Sequence, residues 1–231
     1  MKPPFKMIIE TDLEQWRYDT WESKEPETIE WIKSFDPHNT FFDVGANIGV
    51  YSLYAASLYP DSLIYAFEPV RQNYIRLMQN IELNGFNNII ALPIGVSNID
   101  KIDILSVKDN IIGSSGSQLG YLGDKESIKN YFIPVIRLDS LEAFDIPNYI
   151  KIDIDGYEKE VIDGALNILS SGLVESCLVE INKDKDKIVK IFEAFDFTTD
   201  NRFNKFPNHS RYRRQKEEYN TAENVIFTRR G

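Results

Sequence analysis

Apolar residues in this chain gather into short solid runs, and between the runs they recur at the spacing of a helix face. The alternation begins at residues 41–45, where Phe41, Phe42, Asp43 and Val44 read as a buried strand. The tight turn Gly45-Ala46-Asn47-Ile48-Gly49 follows, and then a helix over about 48–58. Residues 63–68 form a second apolar strand that ends in an acid, Glu68. Pro69 opens a helix that runs to Asn84, and Gly85 stops it. Residues 88–95 read as a third strand. The rhythm resumes with a strand over 149–156, a helix over about 157–169, a strand over 173–181 and a helix over 185–195. A short strand near Phe197 and a last one over 223–228, returning antiparallel, complete the pattern. Strands alternating with helices, without internal repeat, predict an α/β fold: a mainly parallel sheet with helices on both faces.

Three segments stand outside this rhythm. Residues 1–40 form a partly helical lead-in, with a capping box at Thr11-Asp12-Leu13-Glu14 and a helix starting at Pro26. Trp16, Trp21 and Trp31 all lie in it; they either anchor the arm to the core or, with Tyr18, cover a cleft as a lid. Residues 96–137 alternate like an extra β-excursion around a Gly/Ser-rich tract at 113–123, read as a mobile loop that is either a linker or a flap on the substrate side. Residues 201–222 form a third, largely basic, loop. No break in composition divides residues 1–231, so one domain is expected.

Composition narrows the function classes. The 231 residues are 42% hydrophobic and 27% charged, enough for one well-cored domain. A formal net charge of −10 argues against broad nucleic-acid binding. No apolar run approaches the roughly 20 residues of a membrane span, and the start lacks a signal-peptide pattern, which leaves the cytoplasm as the expected compartment. Cys177 is the single cysteine, so an internal disulfide and a cysteine zinc site are excluded; its apolar surroundings make it a buried strand thiol. With His38 and His209 as the two histidines, a multi-histidine metal site is not expected.

The glycine turn after the first strand builds a nucleotide-type pocket, and Glu68, at the end of the second strand, is placed to accept hydrogen bonds from ribose hydroxyls. The turn lacks the dinucleotide G-x-G-x-x-G spacing. Asp43 just before it would repel a pyrophosphate and suits the zwitterionic amino-acid end of S-adenosylmethionine, which tilts the choice from NAD to that cofactor. Two acids, Asp153 and Glu180, end adjacent strands on the cleft side. Either can serve as the base for an alcohol, Asp153 first, or can hold a structural role. Lys151 alternates onto the face of Asp153 and Asp155 and is read as the structural partner of Asp43 on the neighbouring strand. Asp153, Asp155 and Glu158 read as a solvated helix start rather than a Mg²⁺ site, so no metal is expected. Arg211, Arg213 and Arg214 lie in an acid-free stretch, 201–216, and suggest an anionic acceptor such as a phosphorylated or nucleotide-linked sugar.

The runs at 41–55 (FFDVGANIGVYSLYA), 66–69 (AFEP) and 149–165 (YIKIDIDGYEKEVIDGA) resemble the FkbM-type S-adenosylmethionine-dependent methyltransferases. Arg137-Leu138-Asp139-Ser140-Leu141 and Val179-Glu180-Ile181 add to the likeness, and Asp155 departs from it, since the family commonly has Glu there. The resemblance implies a class I, Rossmann-like sheet of seven strands ordered 3-2-1-4-5-7-6 with the last antiparallel, and O-methylation of a sugar or other natural product. It further implies that Asp43, Gly45, Ala46, Asn47 and Gly49 cradle the methionine moiety. Glu68 with Pro69 would take the ribose, Gly95, Val96 and Ser97 would border the adenine, and Asp153 would sit beside the sulfonium. Residues 185–222 carry no motif, so the acceptor is not implied. Three other readings remain open: an RNA ribose 2′-O-methyltransferase using Asp153, Lys183 and Glu223, a binding module without catalysis, and an NAD oxidoreductase.

Overall fold

The structure, a computed structural model, describes residues 2–107, 111–120, 129–141, 144–181, 183–203 and 222–230. Two helices lead in, α1 (Asp12–Asp19) and α2 (Pro26–Lys33). The capping box at Thr11 is formed: its hydroxyl accepts from the Glu14 N–H, and the Glu14 carboxylate accepts from the Thr11 N–H. Glu14 is fully buried against Arg76, 3.1 Å away, so the arm is held by charge as well as by packing. Trp21 packs between Phe5 and Tyr54, and Trp31 among Phe35, Phe41 and Tyr149. Both are buried anchors.

The sheet follows from the apolar runs. β1 (Thr40–Val44), β2 (Leu63–Phe67), β3 (Ile89–Leu92), β8 (Tyr149–Ile152) and β9 (Ser176–Ile181) run parallel, with α3 (Val50–Leu58) and α4 (Arg71–Asn84) as crossovers. The edge is made by β10 (Phe197–Thr199) and β11 (Glu223–Arg229), the latter antiparallel to both β9 and β10. In space the order is β10-β11-β9-β8-β1-β2-β3, the seven-stranded order that the resemblance implied.

Alternation within each strand divides the core into two layers. Phe41, Tyr149 and Leu178 face α2, α3 and α4; Phe42, Ile150 and Cys177 face α5 (Glu158–Asp163), α6 (Leu166–Ser170) and α7 (Lys185–Ala194). Cys177 is the buried strand thiol expected, and burial pushes its pKa up. On the first layer's face, one polar position follows another at the carboxyl ends of the strands: Asp43, Lys151, Asp153 and Glu180.

Four boundaries differ most from the sequence reading; the strand expected over 149–156 ends at Ile152, so Asp153 and Asp155 lie just past it. The third strand divides at Pro93, and Gly95–Val96 (β4) joins a separate four-stranded sheet, β4-β7-β5-β6, with β5 (Lys101–Val107), β6 (Gln118–Leu119) and β7 (Lys129–Ile136). The fourth helix begins at Arg71 rather than Pro69, after an extended Val70. The helix expected over 157–169 is two, because Asp139 inserts its carboxylate under the Asn167 and Ile168 N–H groups and caps a new start. A Cβ on Gly164, at this break, would lie 2.1 Å from the Ser97 carbonyl, so the approach needs glycine.

Candidate functional site

β1 ends on Val44, and the chain must then turn within five residues to enter α3. It does so with positive φ at Gly45 (86°), Asn47 (53°) and Gly49 (95°). A Cβ on Gly45 would stand 2.0 Å from the Asp153 carbonyl, so only glycine lets the two strand ends meet. The Gly45 and Ala46 N–H groups both bond the Phe67 carbonyl at 3.0 Å, tying the turn to the end of β2. There Glu68, 4% exposed, accepts the Asn47 and Val70 N–H groups, each at 2.8 Å. Burial outweighs those bonds and raises its pKa to about 7.

A cleft opens between these strand ends, holding about 680 Å³ of empty space that continues into open solvent. One wall is polar, with Gly45, Asn47, Glu68, Asn73 and Asp153; the other is apolar, with Val96, Leu105 and Leu119. Residues 114–117 of the Gly/Ser tract form the roof. Gly113 N–H donates to Asn73, the Ser114 carbonyl accepts from Asn47 and Asn73, Gly116 N–H donates to Asp155, and the Arg17 Nε donates to the Gly113 carbonyl at 2.7 Å. Over 113–116 the tract is therefore tethered on both sides of the cleft rather than strung out as a linker.

Beside the cleft lies a charged group assembled from four parts of the chain. Lys151, 1% exposed, donates to Asp153 at 2.6 Å and sits 4.9 Å from the centre of the Tyr51 ring. One position beyond the last paired residues, Ile152 opposite Val179, Asp153 and Glu180 hydrogen-bond carboxyl to carboxyl. Burial resists the Asp153 charge, yet Lys151 and Lys24 outweigh it and hold that carboxyl well below the usual range. The charge of Asp153, and then burial, push Glu180 up to about 8. Two acids this close ionise in steps, so they act as a pair. From the lead-in come Lys24 and the buried Glu25, which form an ion pair, and Glu25 also accepts from the Tyr51 hydroxyl.

A methyltransferase FkbM domain model matches residues 43–217, more than half of the chain, and spans the turn, the cleft and both acids. The chain belongs to the FkbM methyltransferase family. Methyltransferase 1 of the fungus Beauveria bassiana is 26% identical over 173 residues, covering 67% of this chain and 69% of the relative. The hexuronic acid methyltransferase AglP of Haloferax volcanii is 26% identical over 174 residues, covering 73% of this chain and 67% of its own. Among solved structures, the methyltransferase FkbM of Methylobacillus flagellatus KT superposes with a TM-score of 0.56 at 14% identity, over 94% of this chain and 52% of that one. That likeness is one of fold; this chain spans about half the length of that structure.

The cofactor of this FkbM methyltransferase is S-adenosylmethionine, and the cleft fits it: one apolar wall, one buried acid, and a turn with no side chain at Gly45. Of the residues expected to hold it, Gly45, Asn47, Glu68, Pro69, Gly95, Val96 and Asp153 line the cleft. Asp43, Ala46, Gly49 and Ser97 do not. Asp43 is fully buried beneath the turn, bonded by the Ser52 hydroxyl at 2.6 Å, with its other oxygen unpartnered and its pKa raised by burial. Gly49 faces Leu77 of α4, where a Cβ would meet it at 2.5 Å, so this glycine serves packing. The Lys151–Asp43 pair is corrected: the two are register neighbours, but the ammonium bonds Asp153, and Asp43 acts on it only at longer range.

The set Asp153, Lys183 and Glu223 is not joined by direct bonds, since Lys183 is exposed and Glu223 pairs with Lys185. Among the described residues no three His, Cys, Asp or Glu side chains converge as metal ligands, and no helix is long and apolar enough to cross a membrane. Arg202 is committed to Asp200, and Arg211, Arg213 and Arg214 lie outside the described residues. Sequence reasoning missed Arg17, Lys24, Glu25 and Tyr51. No local spacing marks them, because tertiary packing alone brings α1, the connection before α2 and the Tyr51 ring of α3 to the group at the strand ends.

Proposed function

We propose that this chain moves the methyl group of S-adenosylmethionine to a hydroxyl oxygen of a small acceptor: a sugar, a glycan precursor or a natural product, including phosphorylated or nucleotide-linked forms. The observation that carries this reading is the Asp153–Glu180 carboxyl pair, of which Asp153 lines the cofactor cleft. Methyl transfer to nitrogen or sulfur can proceed from an uncharged lone pair, whereas an alcohol must shed a proton as its new bond forms. The hexuronic acid named for the Haloferax volcanii relative is consistent with a sugar acceptor.

In this reading Glu68 takes the ribose hydroxyls, Gly95 and Val96 border the base, and Gly45, Asn47 and Asp153 surround the amino-acid end. Bound cofactor supplies an electrophilic methyl carbon. Lys151 keeps Asp153 ionised and aimed, and Asp153 accepts the hydrogen bond of the acceptor hydroxyl. As the oxygen bonds to carbon, its proton passes to the carboxyl pair, which is ready to take it once Glu180 is ionised. Arm, sheet and β-excursion then work as one methyltransferase domain.

The test is methyl incorporation from labelled cofactor into a panel of uronic acids, sugar phosphates and nucleotide sugars, with the product's methyl located by NMR. Methyl on a hydroxyl oxygen is expected; methyl on nitrogen, carbon or a carboxylate would sink the proposal. Asp153→Asn should lower kcat by roughly 10²–10⁴-fold.

A further inference from the structure

We propose that Arg17, on the N-terminal arm, holds the carboxylate of the cofactor's amino-acid end. This rests on the cofactor reading above and adds a residue to it. α1 is fixed in place by its capping box and by the Glu14–Arg76 pair, so the position of Arg17 is built in. Its Nε is spent on the Gly113 carbonyl at 2.7 Å. A Cβ on Gly113 would lie 3.3 Å from that Nε and 3.7 Å from Ile48 Cδ1, so the guanidinium stem runs between the roof and the glycine turn.

What distinguishes Arg17 is its lack of a counter-ion. Lys24 has Glu25, Lys151 has Asp153, and Arg76 has Glu14. Arg17 is half-buried, yet among the described residues no carboxylate lies within ion-pair distance of it. Asp153, Glu25 and Glu68 act on it from further off, and burial still lowers its pKa. A guanidinium partly withdrawn from water with its terminal nitrogens uncommitted is costly unless an anion completes it. The geometry it offers is a planar fork, which matches a carboxylate through two parallel hydrogen bonds.

The cofactor supplies such a group. Its amino-acid end is zwitterionic and belongs at the Gly45 turn; Arg17 does not itself line the cleft, but it bonds Gly113, whose neighbour Ser114 does. Asp153 and the buried acids around it suit the ammonium; Arg17 suits the carboxylate. The arm thereby contributes to cofactor binding as well as to the lining of the acceptor side.

Calorimetry on the full chain separates the possibilities, with two probes: S-adenosylhomocysteine, which keeps the carboxylate, and 5′-methylthioadenosine, which lacks the amino-acid end. Arg17→Met should weaken S-adenosylhomocysteine by roughly 10–100-fold, leave methylthioadenosine within about twofold, and Arg17→Lys should fall between. Retained methylthioadenosine binding also reports that the variant is folded. Equal weakening of both probes would reduce Arg17 to a tether for the roof and overturn the proposal. Unchanged S-adenosylhomocysteine affinity would overturn it as well. Wild-type chain that binds neither probe would defeat the cofactor reading itself, a different failure from either of these.

Discussion

The two sides of the site are built on opposite principles. The cofactor side is made by backbone: three left-handed residues in five positions, two N–H groups on one carbonyl, and a single buried acid between two more N–H groups. The side we propose for the acceptor is made by side-chain charge: Lys24, Glu25, Lys151, Asp153 and Glu180, drawn from an N-terminal arm and two strands. Backbone geometry is unforgiving of substitution and does not itself titrate; Glu68, whose pKa burial raises to about 7, is the titrating group on that side. A packed charge network tolerates no missing partner, and its protonation sets when it works. In the function proposed above, one fold thus holds a fixed donor cleft beside an acceptor region whose chemistry rests on titratable groups.

The largest effect that would expose this contrast comes from Lys151. Lys151→Met leaves Asp153 without its ammonium, with Asp43 and Glu25 nearby, and should destabilise the fold by about 3–5 kcal/mol in urea unfolding. A loss below about 1 kcal/mol would mean the acids are already compensated by solvent, and the acceptor side is not a buried network at all. Next is Gly45→Ala. Holding alanine at the φ of 86° costs of order 1–3 kcal/mol for the backbone alone, and the 2.0 Å approach to the Asp153 carbonyl forces the strand ends apart. The variant should lose S-adenosylhomocysteine binding by calorimetry; retained affinity would show that the turn has slack.

A smaller effect, read in pH rather than stability, separates the two sides most cleanly. Glu180 has its pKa raised to about 8 by the charge of Asp153 and by burial, so its basic form accumulates as pH rises through that value. The methylation rate should therefore climb across pH 7–9, while cofactor affinity shows no matching step from Glu180. Glu180→Gln should remove the climb and lower the rate at pH 9 by about tenfold. A wild-type rate flat over this range would show that the pair does not take the proton.

Much of the donor side was legible in the chain because its parts are consecutive. Asp43 to Gly49 and Leu63 to Glu68 carry strand, turn and acid within one crossover, and the period of the apolar residues locates each end. Even there, spacing could not tell a glycine that faces the ligand, Gly45, from one that faces Leu77, Gly49. It also could not tell an acid in the cleft from one buried below it, since Asp43 and Glu68 both end apolar strands. Those distinctions depend on which neighbour fills the space above each residue.

From the sequence alone came the parallel α/β sheet, its strand ends, the glycine turn and the family, because periodicity and turn chemistry are local and each strand's burial follows from its own residues. Only the tertiary structure decided that Lys151 belongs to Asp153 rather than Asp43, that the Gly/Ser tract roofs the cleft, and that Arg17, Lys24 and Glu25 reach the strand ends. Each of those is a contact between segments far apart in the chain, and its partner is chosen by distance and desolvation, quantities that exist only once the layers have packed.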